Sequence, residues 1–145
     1  HPVERALCGE SWSRGPLIVS WDDIEQDLRE QSSGRNVVIH EIAHKLDMQN
    51  GPADGYPPLH GGMSVAAWSA ALSAAYEKLV RQAAHHHRTC INPYAAASPA
   101  EFFAVISEYF FCAPEQLHPE FADVYEQLHL YYRQNPLARL SRKTQ

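Results

Sequence analysis

The residues best suited to chemistry lie in His40-Glu41-Ile42-Ala43-His44, a His-Glu-x-x-His run. On a helix, which turns about 100° per residue, positions i and i+4 stand one above the other on the same face. His40 and His44 can therefore reach a single metal ion from one rigid element. Glu41 falls near the edge of that face, where its carboxylate can hold a water rather than bind the ion. Two imidazoles, an adjacent carboxylate base and an open position are what a hydrolytic zinc site requires. The chain carries 9 histidines in 145 residues, enough for the pattern to arise by accident, so its surroundings must bear part of the argument.

Those surroundings are helical and apolar. Val37, Val38 and Ile39 precede the motif, and Ile42, Ala43 and Leu46 continue at helical spacing. Ser33 or Asn36 suits an N-cap, and Asn50-Gly51 supplies a stop, which predicts a helix over about 36–49. A helix with two hydrogen-bonded surface histidines is the plainer alternative, but it leaves the apolar neighbours unexplained. A partly buried His-Glu-His set calls for a cation.

A zinc site of this kind needs a third protein ligand. Cys8, Cys90 and Cys112 are scattered without a Cys-x-x-Cys pair, which disfavours a thiolate site and fits free thiols in a reducing compartment. His85-His86-His87 points in three directions on a helix and suits a polar helix end, where imidazoles complement the dipole. Glu101 is the better candidate, although Ser98-Pro99-Ala100-Glu101 is also a good capping box, with Pro99 at the first helical position. From the residues alone, capping and ligation both remain open. Glu108, seven residues on along the same face, is a further candidate, as a ligand or as a partner of one. Asp47 shares the face of His40 and His44, where it can orient an imidazole, lie exposed to solvent or serve the helix end.

The elements that must position these groups can be outlined. A strand is expected over Leu17–Trp21 and a helix from Asp22 to about Gln31, ahead of the metal-binding helix. A Gly/Pro-rich loop spans 50–62. A helix capped by Ser64 carries a stripe of Val65, Trp68, Leu72, Tyr76, Leu79 and Ala83. After the Glu101 helix, a last helix is expected over about Pro119–Gln134, striped by Phe121, Val124, Leu128 and Tyr131. The expected class is α+β, mainly helical, with a small sheet and an active-site helix.

Several segments together resemble a known family. His40 to Gly51, Asn92-Pro93-Tyr94-Ala95-Ala96 and Glu101 to Phe111 are similar to the Mlc titration factor A family of bacterial zinc peptidases. So are the lead-in from Gly9 to Asp23 and the close Asn135-Pro136-Leu137-Ala138-Arg139-Leu140. The catalytic domain of anthrax lethal factor has a related pattern, with a Tyr seven residues before its ligand Glu, a spacing reproduced by Tyr94 and Glu101. The resemblance implies a zincin-like metallopeptidase domain binding one Zn2+ through His40, His44 and Glu101. It further implies Glu41 as the base and Tyr94, otherwise readable as a packed surface tyrosine, near the substrate carbonyl. Asp47 and Glu108 are then candidates for supporting the ligands. Aminopeptidase-like action on a peptide or protein substrate and a regulatory link to glucose uptake through the repressor Mlc are also implied.

Length and composition set the outer limits. At 145 residues and 45% hydrophobic, residues 1–145 can form one domain with a real core. The chain begins at His1, and family members usually carry a further N-terminal segment, so such a segment is expected to be missing here. No signal peptide and no apolar run near membrane-spanning length are present, which leads to an expectation of a cytoplasmic protein without a membrane partner. A net charge of −5 with dispersed basic residues argues against direct nucleic-acid binding. Two function classes stand: an active zinc peptidase, or a non-catalytic protein-binding regulator using the zinc fold as a scaffold. Glu41 favours the first, because a scaffold has no use for a base beside its ligands.

Overall fold

A computed structural model describes residues 9–11, 15–30 and 33–144, with side chains from residue 15 onward. Cys8, Trp12 and Gln31 lie outside the described residues. The architecture is mainly helical. Two short strands, β1 (Gly9–Ser11) and β2 (Leu17–Val19), pair antiparallel with Glu10 opposite Ile18. They lie beside α2 (Val37–Asp47), which follows α1 (Trp21–Arg29). Then come α3 (Val65–Ala84), α4 (Pro99–Cys112), α5 (Pro114–Leu117), α6 (Ala122–Tyr132) and α7 (Pro136–Lys143). Short 3-10 turns occupy Met48–Asn50 and Pro93–Ala96.

Helix α4 is the hub. Every residue from Phe102 to Phe110 is buried, so the helix is covered on all sides. It packs against α2 on one side, with the Pro93–Ala96 turn, α5 and α6 elsewhere around it. Phe103 meets Trp68 and Tyr131 in tilted and edge-on contacts, and Phe110 meets Tyr125 and Tyr132. Ser107, the small polar residue in this run, is satisfied by donating to Phe103 O at 2.8 Å and by pairing with the Tyr132 hydroxyl.

Local signals set most boundaries. Asn36, rather than Ser33, caps α2 by accepting Ile39 N–H, and Ser64 caps α3 by accepting Ala67 N–H. In the predicted α3 stripe Trp68, Leu72 and Leu79 are buried, but Val65 is 65% exposed, because its turn precedes the point where the helix meets the core. The expected last helix starts later, at Ala122, because Phe121 leaves helical geometry after α5. It ends where Arg133 takes a left-handed conformation (φ 54°). Asn135-Pro136 then starts α7, a helix absent from the sequence reading, with the Asn135 side chain accepting from Ala138. Among the described residues no helix is long and apolar enough to cross a membrane.

Helix α1 is attached in an unusual sense. Asp27 is buried, whereas Trp21 and Leu28 are 67% and 61% exposed. The acidic side faces inward. There Arg35 pairs with Asp23 at 2.9 Å and Asp27 at 3.0 Å, and Asp27 accepts the Val37 N–H at the start of α2.

Gly34 occupies a left-handed conformation (φ 78°), and a Cβ there would lie 2.7 Å from the Tyr109 ring. Gly34→Ala combines a backbone penalty of about 1–2 kcal/mol with a clash against a buried ring. The expected outcome is a clearly lowered melting temperature, measured by circular dichroism against the unaltered chain.

Candidate metal centre

The site forms where the middle of α2 meets the first turns of α4. Helical periodicity brings His40 and His44 to one face of α2, and their Nε2 atoms stand 3.1 Å apart. Ser98 caps α4 by accepting the Glu101 N–H at 3.1 Å, so that half of the capping box forms. The Glu101 carboxylate turns instead to the imidazoles, 3.0 Å from His40 Nε2 and 3.2 Å from His44 Nε2. Its place in the first turn of α4 also suits an anion, because the helix dipole is positive there. Among the described residues these three form the group of His, Cys, Asp and Glu side chains close enough to share a metal ion. His85, His86 and His87 are exposed at the end of α3 and are not part of it.

The donor set fits zinc. Tetrahedral zinc with bonds of about 2.0–2.2 Å to N and O keeps its ligand atoms roughly 3.3 Å apart, close to the separations found here. The tautomer fits as well. Glu108 Oε2 lies 2.9 Å from His40 Nδ1. A carboxylate can only accept, so Nδ1 carries a proton and the Nε2 lone pair is left for a cation. The other Glu108 oxygen accepts the Asn36 N–H at 2.8 Å. Glu108 thus supports a candidate ligand.

Electrostatics point the same way. Burial opposes a charge on His40, but the hydrogen bonds and charges of Glu101 and Glu108 outweigh it and raise the pKa to about 10. Burial likewise works against the Glu101 carboxylate, yet its bonds to His40 and His44 pull its pKa down to about 2. The negative surroundings that keep a proton on this imidazole also attract a divalent cation, which must displace that proton to bind. Glu41 is buried, next in sequence to His40 of this cluster. Its pKa is raised by that burial, in partial competition with the His40 and His44 charges.

Two further residues complete the inventory. The Tyr94 ring stacks near His40, with centroids 6.3 Å apart and planes at 29°, and Tyr94 is 38% exposed. Asp47, at the last position of α2, is fully buried rather than exposed. It accepts the Gly55 N–H at 2.8 Å. Gly55 (φ 83°) in turn packs so close to α4 that a Cβ there would lie 2.8 Å from Pro99 O. Asp47 therefore ties the end of α2 to the loop lying on the first turn of α4. Its Oδ1 and the His44 Nδ1 are both buried without a hydrogen-bond partner.

A family model described as glucose-regulated metallo-peptidase M90 matches residues 1–133. The chain belongs to that family. Mlc titration factor A of Yersinia enterocolitica (serotype O:8 / biotype 1B) is 43% identical over 145 residues, covering 98% of this chain and 53% of the relative. The proteins of the same name from Yersinia pestis (strain Pestoides F) and Yersinia pseudotuberculosis (serotype O:1b) match to the same extent. The chain thus spans about half the length of the curated relatives it matches. For an M90 metallo-peptidase, a cluster of His40, His44 and Glu101 able to hold a metal ion is in keeping with the family's description.

Three outcomes are expected of metal analysis. Glu101→Ala should abolish stoichiometric zinc in purified protein, whereas Glu108→Gln should retain it with affinity weakened by about 10–100-fold. Titration with a competing chelator separates the two, and unchanged affinity in Glu101→Ala would remove that residue from the ligand set. Replacing His85, His86 and His87 together by Gln should leave zinc content and affinity at the wild-type level in the same titration.

Proposed function

We propose that residues 1–145 form a zincin-like metallopeptidase domain that binds one zinc ion through His40, His44 and Glu101 and hydrolyses peptide bonds. The observation that carries this reading is the convergence of two Nε2 atoms and one carboxylate, with the buried Glu41 carboxylate next to the first ligand in sequence. Zinc, when bound, supplies Lewis-acid chemistry, easing deprotonation of water near neutral pH and stabilising charge on a carbonyl oxygen. The residues of the chain do the rest. Glu41, its pKa raised by burial, accepts the proton of the attacking water and returns it to the departing amine. Glu108 holds His40 in the tautomer that presents Nε2. Tyr94 donates a hydrogen bond to the oxyanion that develops when the carbonyl is attacked, an interaction stronger in the transition state than before it.

The substrate is a peptide or protein, and aminopeptidase-like cleavage is the mode proposed. The name of the relatives, Mlc titration factor A, ascribes to them a relation to Mlc. Carried to this chain, it makes Mlc a protein partner, so the domain combines hydrolysis with a regulatory contact. A non-catalytic regulator would need the contact alone, and Glu41 distinguishes the two.

Kinetics with a panel of aminoacyl p-nitroanilides and internally quenched, end-blocked peptides tests this proposal and separates end-cleavage from internal cleavage. Glu41→Gln should keep zinc and lose turnover by about 10²–10⁴-fold. Tyr94→Phe should lower kcat by about 10²–10³-fold with little change in KM. Near wild-type turnover in Glu41→Gln would remove Glu41 as the base, and no turnover in the zinc-loaded wild-type chain would leave the binding-protein reading in its place.

A further inference from the structure

Glu108 and Tyr109 are neighbours on α4 and reach opposite halves of the site. Glu108 holds α2, through His40 Nδ1 and the Asn36 N–H. Tyr109 holds the turn that carries Tyr94. Its hydroxyl accepts the Asn92 N–H at 3.1 Å. Asn92 then organises the turn: its side-chain oxygen accepts the Tyr94 N–H at 3.0 Å, and its carbonyl accepts the Ala95 N–H at 3.0 Å. The far end is pinned separately, by the Tyr76 hydroxyl donating to Ala96 O at 3.3 Å. Tyr109 itself has little freedom. It is 7% exposed, and its ring fills the space that Gly34 leaves by lacking a side chain.

We infer that Tyr109 is a positioning residue for Tyr94, setting through Asn92 the distance at which the Tyr94 phenol meets the reacting carbonyl. The inference rests on the oxyanion role proposed above for Tyr94. Its physical basis is that a turn of four residues has too few internal bonds to fix its own place; buried Ala95 and the Tyr76 bond hold its far end, and the acceptor on α4 decides the end that carries Tyr94. Because α4 also carries Glu101 and Glu108, one rigid helix then sets both the ligand and the oxyanion donor. A misplacement of about 1 Å at such a group can cost 10²-fold in rate.

Tyr109→Phe keeps the ring against Gly34 and deletes only the acceptor. In the zinc-loaded full chain, assayed with the aminoacyl p-nitroanilide panel, it should lower kcat by about 10- to 100-fold with KM within about twofold and zinc content unchanged. Combined with Tyr94→Phe it should add no further loss, since it acts through that residue. Hydrogen exchange read by mass spectrometry should quicken roughly fivefold across residues 92–97, beyond any change explained by the melting temperature. Additive losses in the double variant would overturn the inference, as would a lowered melting temperature with unchanged kcat. A reduced rate in Tyr94→Phe beside wild-type rate and exchange in Tyr109→Phe would overturn it alone. A wild-type rate in Tyr94→Phe would overturn the oxyanion role and this inference together.

Discussion

The carboxylate of Glu108 is the contact on which the site depends. It is largely buried, and each of its oxygens reaches a different feature of a helix more than sixty residues away in sequence. One oxygen satisfies a backbone donor at the entry to α2, and the other fixes the proton on His40. A buried carboxylate is costly unless its acceptors are used, and here both are used in a way that fixes the rotation of α2 relative to α4. That rotation decides whether His40 and His44 converge on Glu101 or look past it.

The arrangement places chemistry on the most rigid element and leaves adaptability at its edge. Helix α4 is locked by Phe102, Phe103, Ile106 and Phe110, all nearly inaccessible, and it carries Glu101, Glu108 and Tyr109. Tyr94, by contrast, stands partly exposed on a short turn. With no cation present the imidazoles and carboxylates of this corner pair with one another, His40 keeping its proton and Glu101 its charge, and the apolar packing around α4 fixes where they meet.

How much of this could be read in the sequence follows from the range of each interaction. The His40–Glu41–His44 constellation was legible because a helix fixes i and i+4 without outside help. So was Ser64 as a cap, since capping is decided within three residues, while Asn36 was one of two candidates beside Ser33 until the structure chose between them. Glu101 was legible only as an ambiguity, and the structure divides the residue: its N–H goes to Ser98 and its carboxylate to the imidazoles. The bond from Glu108 to His40 spans 68 positions, and no local pattern encodes it. Asp47 shared the ligand face in projection, yet its side chain serves the backbone of Gly55, a partner set by the course of the 51–63 loop. Tyr109 escaped notice because a tyrosine in an aromatic run reads as core, and only the tertiary approach of Asn92 reveals what its hydroxyl does. Asn135-Pro136 did carry a start signal for α7, which the polar composition of the chain end obscured.

The inward-facing acids of α1 have a thermodynamic consequence. An element held by ion pairs and a helix-entry hydrogen bond, with Trp21 and Leu28 already in water, uncovers little apolar surface when it detaches. Its release therefore has a small heat capacity and a weak denaturant slope, whereas dissolving the α4 core has large values of both. The two parts of the molecule answer to different variables. Temperature and urea act chiefly on the core, and ionic strength acts on the more exposed members of the α1 attachment. The Val37 N–H, one turn before His40, is where the two regimes meet.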